Sequence, residues 1–212
     1  MKRILTICLL MFGIVVLSVG LTACNETQPA LEPPMTEVEP EAMPGELSDD
    51  LNSLMFSVNG IVYTLPVPFA ELEENGWGPR DLDSHVHATY KLDPSHSFVG
   101  LFVLENQTLS VTFTNFTEEV LPLTESYLSG VAVRPQPGHE DEAQLILPGN
   151  IMLGSTYDDV ITTHGEPSGR EQLDDMKELI YFTEYAVIQI FIAKETDLVV
   201  MMSMMMSVLF DM

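Results

Sequence analysis

Several groups of residues have the types and spacing to do chemistry. Cys24 follows Leu21-Thr22-Ala23 where an apolar run gives way to a proline-rich acidic stretch, and the only other cysteine, Cys8, lies inside that run. A thiol behind a small residue at such a junction is a place for covalent modification. His85-x-His87, with Asp81, Asp83 and His96 nearby, could put two imidazoles on one face of a strand and so seat zinc or copper. The plainer reading is histidines on the wet face of an edge strand. Met201-Met202-Ser203-Met204-Met205-Met206 could offer thioethers to Cu(I). Val200, Met202, Met204, Met206 and Val208, however, recur at period two, the pattern of a core strand with flexible fillers. Glu140-Asp141-Glu142, behind Gly138-His139, could act as acid and base or hold calcium weakly. A charge run after Pro135 and Pro137 reads as a solvated loop, and the ligand spacing of a helix-loop-helix calcium site is missing. No Gly-x-Ser-x-Gly, His-Glu-x-x-His or phosphate-cradling loop occurs. The sequence therefore assigns no catalytic residue, no metal ligand and no cofactor, and leans away from an enzyme.

The surroundings of Cys24 point to one modification. Met1-Lys2-Arg3 is a short basic start, and Ile4 to Gly20 is an uncharged apolar run, the anatomy of a secretory signal peptide. The alternative is an uncleaved helix, which a run of this length could almost extend across a bilayer. Leu21-Thr22-Ala23-Cys24 resembles the bacterial lipobox, in which a small residue precedes the cysteine that is lipidated and becomes the first residue after cleavage. The resemblance implies that residues 1–23 are a signal peptide and that Cys24 carries acyl chains such as palmitate through a thioether. Two or more chains, at about 0.8 kcal/mol per buried CH₂, anchor a protein stably. The expectation is a secreted chain held by lipid on the outer face of a bacterial cell membrane.

Composition bounds the rest. The chain has 212 residues, 46% hydrophobic, enough for one domain of ordinary size or two small repeats sharing a core. Its 8 Lys+Arg stand against 32 Asp+Glu, a net charge of −24, and cleavage would remove Lys2 and Arg3 as well. That excludes nucleic acid as a partner, because phosphate neutralisation needs clustered basic residues. It also argues against a basic helix lying on anionic lipid. With Cys8 removed and Cys24 lipidated, no disulfide forms. Residues 24–50 are acidic and carry Pro29, Pro33, Pro34, Pro40 and Pro44, which reads as an extended linker. At polyproline pitch it would reach on the order of 80 Å.

The elements that must position any site begin near Leu54. Asn59-Gly60 between Phe56-Ser57-Val58 and Ile61-Val62-Tyr63 predicts a hairpin. Pro68 to Glu74 reads as a short helix closed by Gly76, with Trp77 entering the core. HATYKL, FVGLFVLE, LSVTFTNF and YLSGVAVR follow as strands, with Leu109, Val111 and Phe113 inward and Ser110, Thr112 and Thr114 wet. Asn106-Gln107-Thr108 and Asn115-Phe116-Thr117 match glycosylation acceptors by chance, since that chemistry is not expected on a bacterial lipoprotein. Ser155 or Thr156 caps a helix near 155–164, Gly165 stops it, and Pro167 prevents its resumption. LIYF, AVIQIFIA and DLVVMMSMMMSVLF give further strands.

Leu65-Pro66 to Gly76 and Leu147-Pro148 to Gly165 each precede strands, which suggests two copies of one helix-plus-sheet unit. Gly154-Ser155-Thr156-Tyr157-Asp158-Asp159-Val160 and Gly165-Glu166-Pro167 resemble the SmpA/OmlA small lipoproteins and the tandem-repeat β-lactamase-inhibitor-protein-like domains. The resemblance implies a non-enzymatic protein-interaction domain. The expected fold is α+β, a mostly antiparallel sheet with short capped helices in two tandem repeats, with halves at 51–143 and 144–212. The expected function is a surface-tethered lipoprotein that binds a protein or peptide. The alternative is a cell-wall hydrolase or accessory enzyme, with a metal-binding lipoprotein less favoured.

Overall fold

Asn59 and Gly60 take φ 52° and 83°, the left-handed pair that a two-residue hairpin turn requires. They fold β1 (Met55–Val58) against β2 (Ile61–Thr64) in the register the sequence predicts. The computed structural model describes residues 47–80, 89–134 and 142–207. The leader, Cys24, Asp81, Asp83, His85, His87, Glu140, Asp141 and Val208 lie outside the described residues. After β3 (Val67–Pro68) comes α1 (Phe69–Glu74), ended by Gly76 at φ 85°. There follow β4 (Gly78–Pro79), β5 (Lys91–Leu92), the long hairpin of β6 (Ser97–Leu104) and β7 (Gln107–Thr114), β8 (Leu121–Pro122) and β9 (Tyr127–Val133). The chain continues through β10 (Leu145–Leu147), β11 (Ile151–Met152), α2 (Tyr157–His164), β12 (Gly169–Gln172), β13 (Met176–Phe182), β14 (Ala186–Ala193) and β15 (Val199–Met206).

The fold is mostly antiparallel sheet with short helices, as expected. A nine-stranded sheet has the order β12-β13-β14-β15-β9-β7-β6-β4, with β3 also beside β9. A four-stranded sheet has the order β11-β10-β1-β2. Strand alternation sends one face of the large sheet inward: in β14, Ala186, Ile188, Ile190 and Ile192 are all buried, and the residues between them only half-buried. The core row Tyr181–Ile188–Met204–Val131–Val111–Gly100 crosses six strands in register. Phe69 of α1 sets its ring 5.5 Å from Phe102 and 5.0 Å from Phe113, and His164 of α2 sits 5.8 Å from Tyr181. Both helices therefore pack on this inner face. Phe56, Val58, Leu145, Leu147 and Ile151 of the smaller sheet join the same core, each buried side chain contributing about 1.5–3 kcal/mol.

Local chemistry fixes α2. Thr156 is its cap: Thr156 Oγ1 accepts from Asp159 N at 3.1 Å, and Asp159 Oδ2 accepts from Thr156 N at 2.8 Å. Ser155, the other candidate, accepts instead from Met152 N at 3.0 Å. Val160 is fully buried, and Gly165 ends the helix at φ 72°, ψ −161°, a region open essentially to glycine. Two details depart from the sequence reading. Leu65-Pro66 follows β2 whereas Leu147 ends β10 and Pro148 begins the turn into β11, so the pairs do not occupy matching places. Residues 47–50, linker by composition, are tied to the domain: Gly149 N donates to Ser48 O at 3.1 Å, and Asp50 Oδ1 accepts from Asn52 N at 2.9 Å.

Candidate functional site

The face of the large sheet turned away from the core carries the most distinctive surface among the described residues. Its register lines up one row across six strands: Phe182, Val187, Met205, Gly130, Thr112 and Val99. Phe182 is 63% exposed, Val99 57% and Met205 43%, three of the most exposed large apolar side chains described. Gly130 sits at the middle of the row, where Met205 lies close enough that a Cβ on Gly130 would press on its side chain at 3.2 Å. A second row runs Ile180, Gln189, Ser203, Ala132, Ser110 and Leu101. Neither row holds a charged side chain, in a chain of net charge −24. A contiguous uncharged face on so acidic a molecule is the kind of surface that marks an interaction site.

The third row, Glu171, Glu178, Phe191 and Met201, brings in two carboxylates. Ser203 Oγ donates to Gln189 Oε1 at 3.3 Å, and Gln189 Nε2 donates to Glu178 Oε1 at 2.7 Å. This polar line starts at the centre of the face and ends on the carboxylate near its β12 edge. Burial pushes the Glu178 carboxyl above its ordinary range, against the effect of the Gln189 bond. Glu171 stands directly opposite on β12 and pushes it the same way.

A cleft of about 490 Å³ lies beside the sheet, lined by Asp49, Asp50, His164, Glu166, Tyr181 and Glu184 among others. This is where hydrolytic chemistry would be sought. His164 Nε2 is buried with no hydrogen-bond partner among the described residues. Burial lowers the pKa of its imidazole, opposed by a bond to the Pro148 carbonyl and by Asp49. Tyr181 is pushed up to about 12, chiefly by burial and then by Tyr157, and its hydroxyl donates to Gly165 O at 3.1 Å. Several other polar groups of the lining are engaged locally. Ser168 Oγ accepts from Phe182 N at 3.2 Å, Glu184 Oε1 accepts from Tyr185 Oη at 2.7 Å, and Glu166 pairs with Arg170. No hydroxyl in the cleft is bonded to His164, so a nucleophile and base are not assembled there.

The structure places the remaining sequence candidates as follows. His96 is exposed, its Nδ1 3.0 Å from Pro94 O. Met202 and Met204 are fully buried core residues, whereas Met201 and Met205 lie on the outer face. Among the described residues no three His, Cys, Asp or Glu side chains are grouped to hold a metal ion, and no helix is long and apolar enough to cross a membrane. Sequence reasoning missed Phe182, Val99 and Met205, each of which occupies a wet position of its own strand. Compared with protein families, curated proteins and solved structures, the chain has no match.

Proposed function

We propose that this chain is a lipoprotein, anchored through Cys24 on the outer face of a bacterial cell membrane, whose α+β domain binds a protein or peptide on the outer face of its large sheet. The observation that carries the binding reading is the uncharged row from Phe182 to Val99, with its exposed Phe, Met and Val. An enzyme reading has less support, since no hydroxyl is bonded to His164 in the titratable cleft described. The Leu21-Thr22-Ala23-Cys24 junction behind an apolar run supports the anchor.

The domain is further read as two tandem repeats, each a hairpin, a short helix and four antiparallel strands. Support comes from strand order. β2-β1 meets β10-β11 in the small sheet, and β4-β6-β7-β9 meets β15-β14-β13-β12 in the large one, so each counterpart falls at the mirrored place. The last strands of the two units, β9 and β15, join at the centre of the outer face, which makes that face a composite of both repeats.

The test uses full-length chain in cells fed an alkyne analogue of palmitate. The wild type takes the label and co-purifies with a binding protein; Cys24→Ala loses the label. The triple variant Val99→Ser, Phe182→Ser, Met205→Ser keeps the label and loses the co-purifying protein. An unlabelled wild type retained in the membrane would mean that the leader is a spanning helix. A triple variant that retains the same partner would remove the outer face from consideration.

A further inference from the structure

The uncharged row identifies where a partner would dock; the charges around it select what kind. Glu171 and Glu178 face each other across β12 and β13 at the margin of the outer face, and like charges directly opposite on neighbouring strands are destabilising. The cations on the neighbouring strands and turns are used elsewhere. Arg170 pairs with Glu166. Lys177 Nζ binds Asp197 at 2.9 Å and lies 5.0 Å from the centre of the Tyr157 ring. Lys194 Nζ donates to the Leu173 carbonyl. The Ser203–Gln189–Glu178 line ends on a Glu178 carboxylate that is itself buried, at 4% exposure, and leaves the exposed carboxylate of Glu171 beside it to accept from a visiting cation.

A second copy of this chain is a poor occupant, because two surfaces of net charge −24 repel on approach. An anionic lipid surface or a nucleic acid is repelled for the same reason. We infer that the outer face takes a cationic protein surface, one that lays an apolar stripe along the Phe182 to Val99 row and sets a lysine or arginine against the exposed Glu171, beside the buried Glu178. This rests on the docking reading above. The apolar row provides the buried contact, and the surplus negative field speeds encounter and selects against acidic competitors.

The test measures binding of three fluorescent model peptides to the full-length chain in neutral detergent. All share alternating leucines, with Lys, Ser or Glu at the intervening positions. The lysine peptide is expected to bind about tenfold more tightly than the serine peptide in about 50 mM salt, with most of that advantage gone in about 500 mM, and the glutamate peptide not to bind. Glu171→Gln with Glu178→Gln should bring the lysine peptide down to the serine peptide's level, as should Glu171→Gln alone in part. Glu73→Gln with Glu74→Gln, an equal change of charge on the exposed side of α1, should leave it unchanged. If the serine peptide binds as tightly as the lysine peptide, and Val99→Ser/Phe182→Ser/Met205→Ser abolishes both, the face docks partners but the cationic inference is wrong. If the lysine peptide binds the triple serine variant as well as the wild type, the attraction is diffuse and the docking reading falls too. No binding by any peptide contradicts both. A dimer in sedimentation equilibrium that the triple serine variant abolishes would make a second copy the occupant and overturn the inference.

Discussion

Asn115 is wholly buried and its amide is fully used. Its Nδ2 donates to the carbonyls of Leu92 at 3.0 Å and Glu119 at 2.6 Å, and its Oδ1 accepts from Thr117 N at 2.8 Å and Thr117 Oγ1 at 2.9 Å. The Asn-Phe-Thr triplet is thus a folding device in which asparagine and threonine bind each other, and in the folded chain its amide is not open to glycosylation. Asn115→Ala would remove the side-chain partner of the Leu92 carbonyl and of the Thr117 amide, and leave the Glu119 carbonyl with Thr117 Oγ1 alone. It is expected to cost more than about 2 kcal/mol in chemical denaturation, against near-neutrality for an exposed polar site. Thr114 shows where residue-level reading fails. Period two assigns it to the wet face, yet it is 5% exposed. Ser129 Oγ donates to Thr112 O at 3.1 Å, so with one proton each Thr114 must donate to Ser129 and Ser97 to Thr114, both at 2.7 Å. That chain of hydroxyls exists only once β6, β7 and β9 are side by side, and nothing local announces it.

Elements with a local cause were legible. The Asn59-Gly60 hairpin, the stop at Gly76 and the bounds of α2 follow from turn and cap chemistry spelled out within a few residues. The choice between Ser155 and Thr156 was not, because both fit a capping box and only the backbone path decides. Gly165 separates conformational strain from crowding: no atom lies within 4 Å of where its Cβ would stand, so a side chain there meets only the cost of its φ and ψ. Gly165→Val is expected to lower stability by about 1–3 kcal/mol in thermal melts. A value within a few tenths would mean that this turn relaxes freely. In β15, an irregularity opposite Phe191/Ile192 shifts the pairing, so Phe191 pairs with Met201 and Ile192 with Val199. Val200 thereby drops out of the even series that the sequence suggested, while Met202 and Met204 remain in the core. Bulges depend on the neighbouring strand, which a single strand's pattern does not contain.

At the scale of the whole molecule, the antiparallel character and the approximate strand list could be read from the sequence, but the surface could not. Phe182, Met205 and Val99 come from strands widely separated in the chain, and each alone is an ordinary apolar residue in a wet position. Only the pairing of β15 with β9 brings the two ends of the row into line. Charge was legible from composition, and its meaning changed once the outer face proved free of it along two rows. The most direct measurement places a photo-crosslinking amino acid at Phe182, at Val99 and, as a control, at Glu73 in full-length chain on intact cells. The expected result is one and the same crosslinked protein from Phe182 and Val99, at opposite ends of a single row, and none from Glu73. Equal crosslinking from all three positions, or crosslinks from Glu73 alone, would contradict a docking function for the outer face.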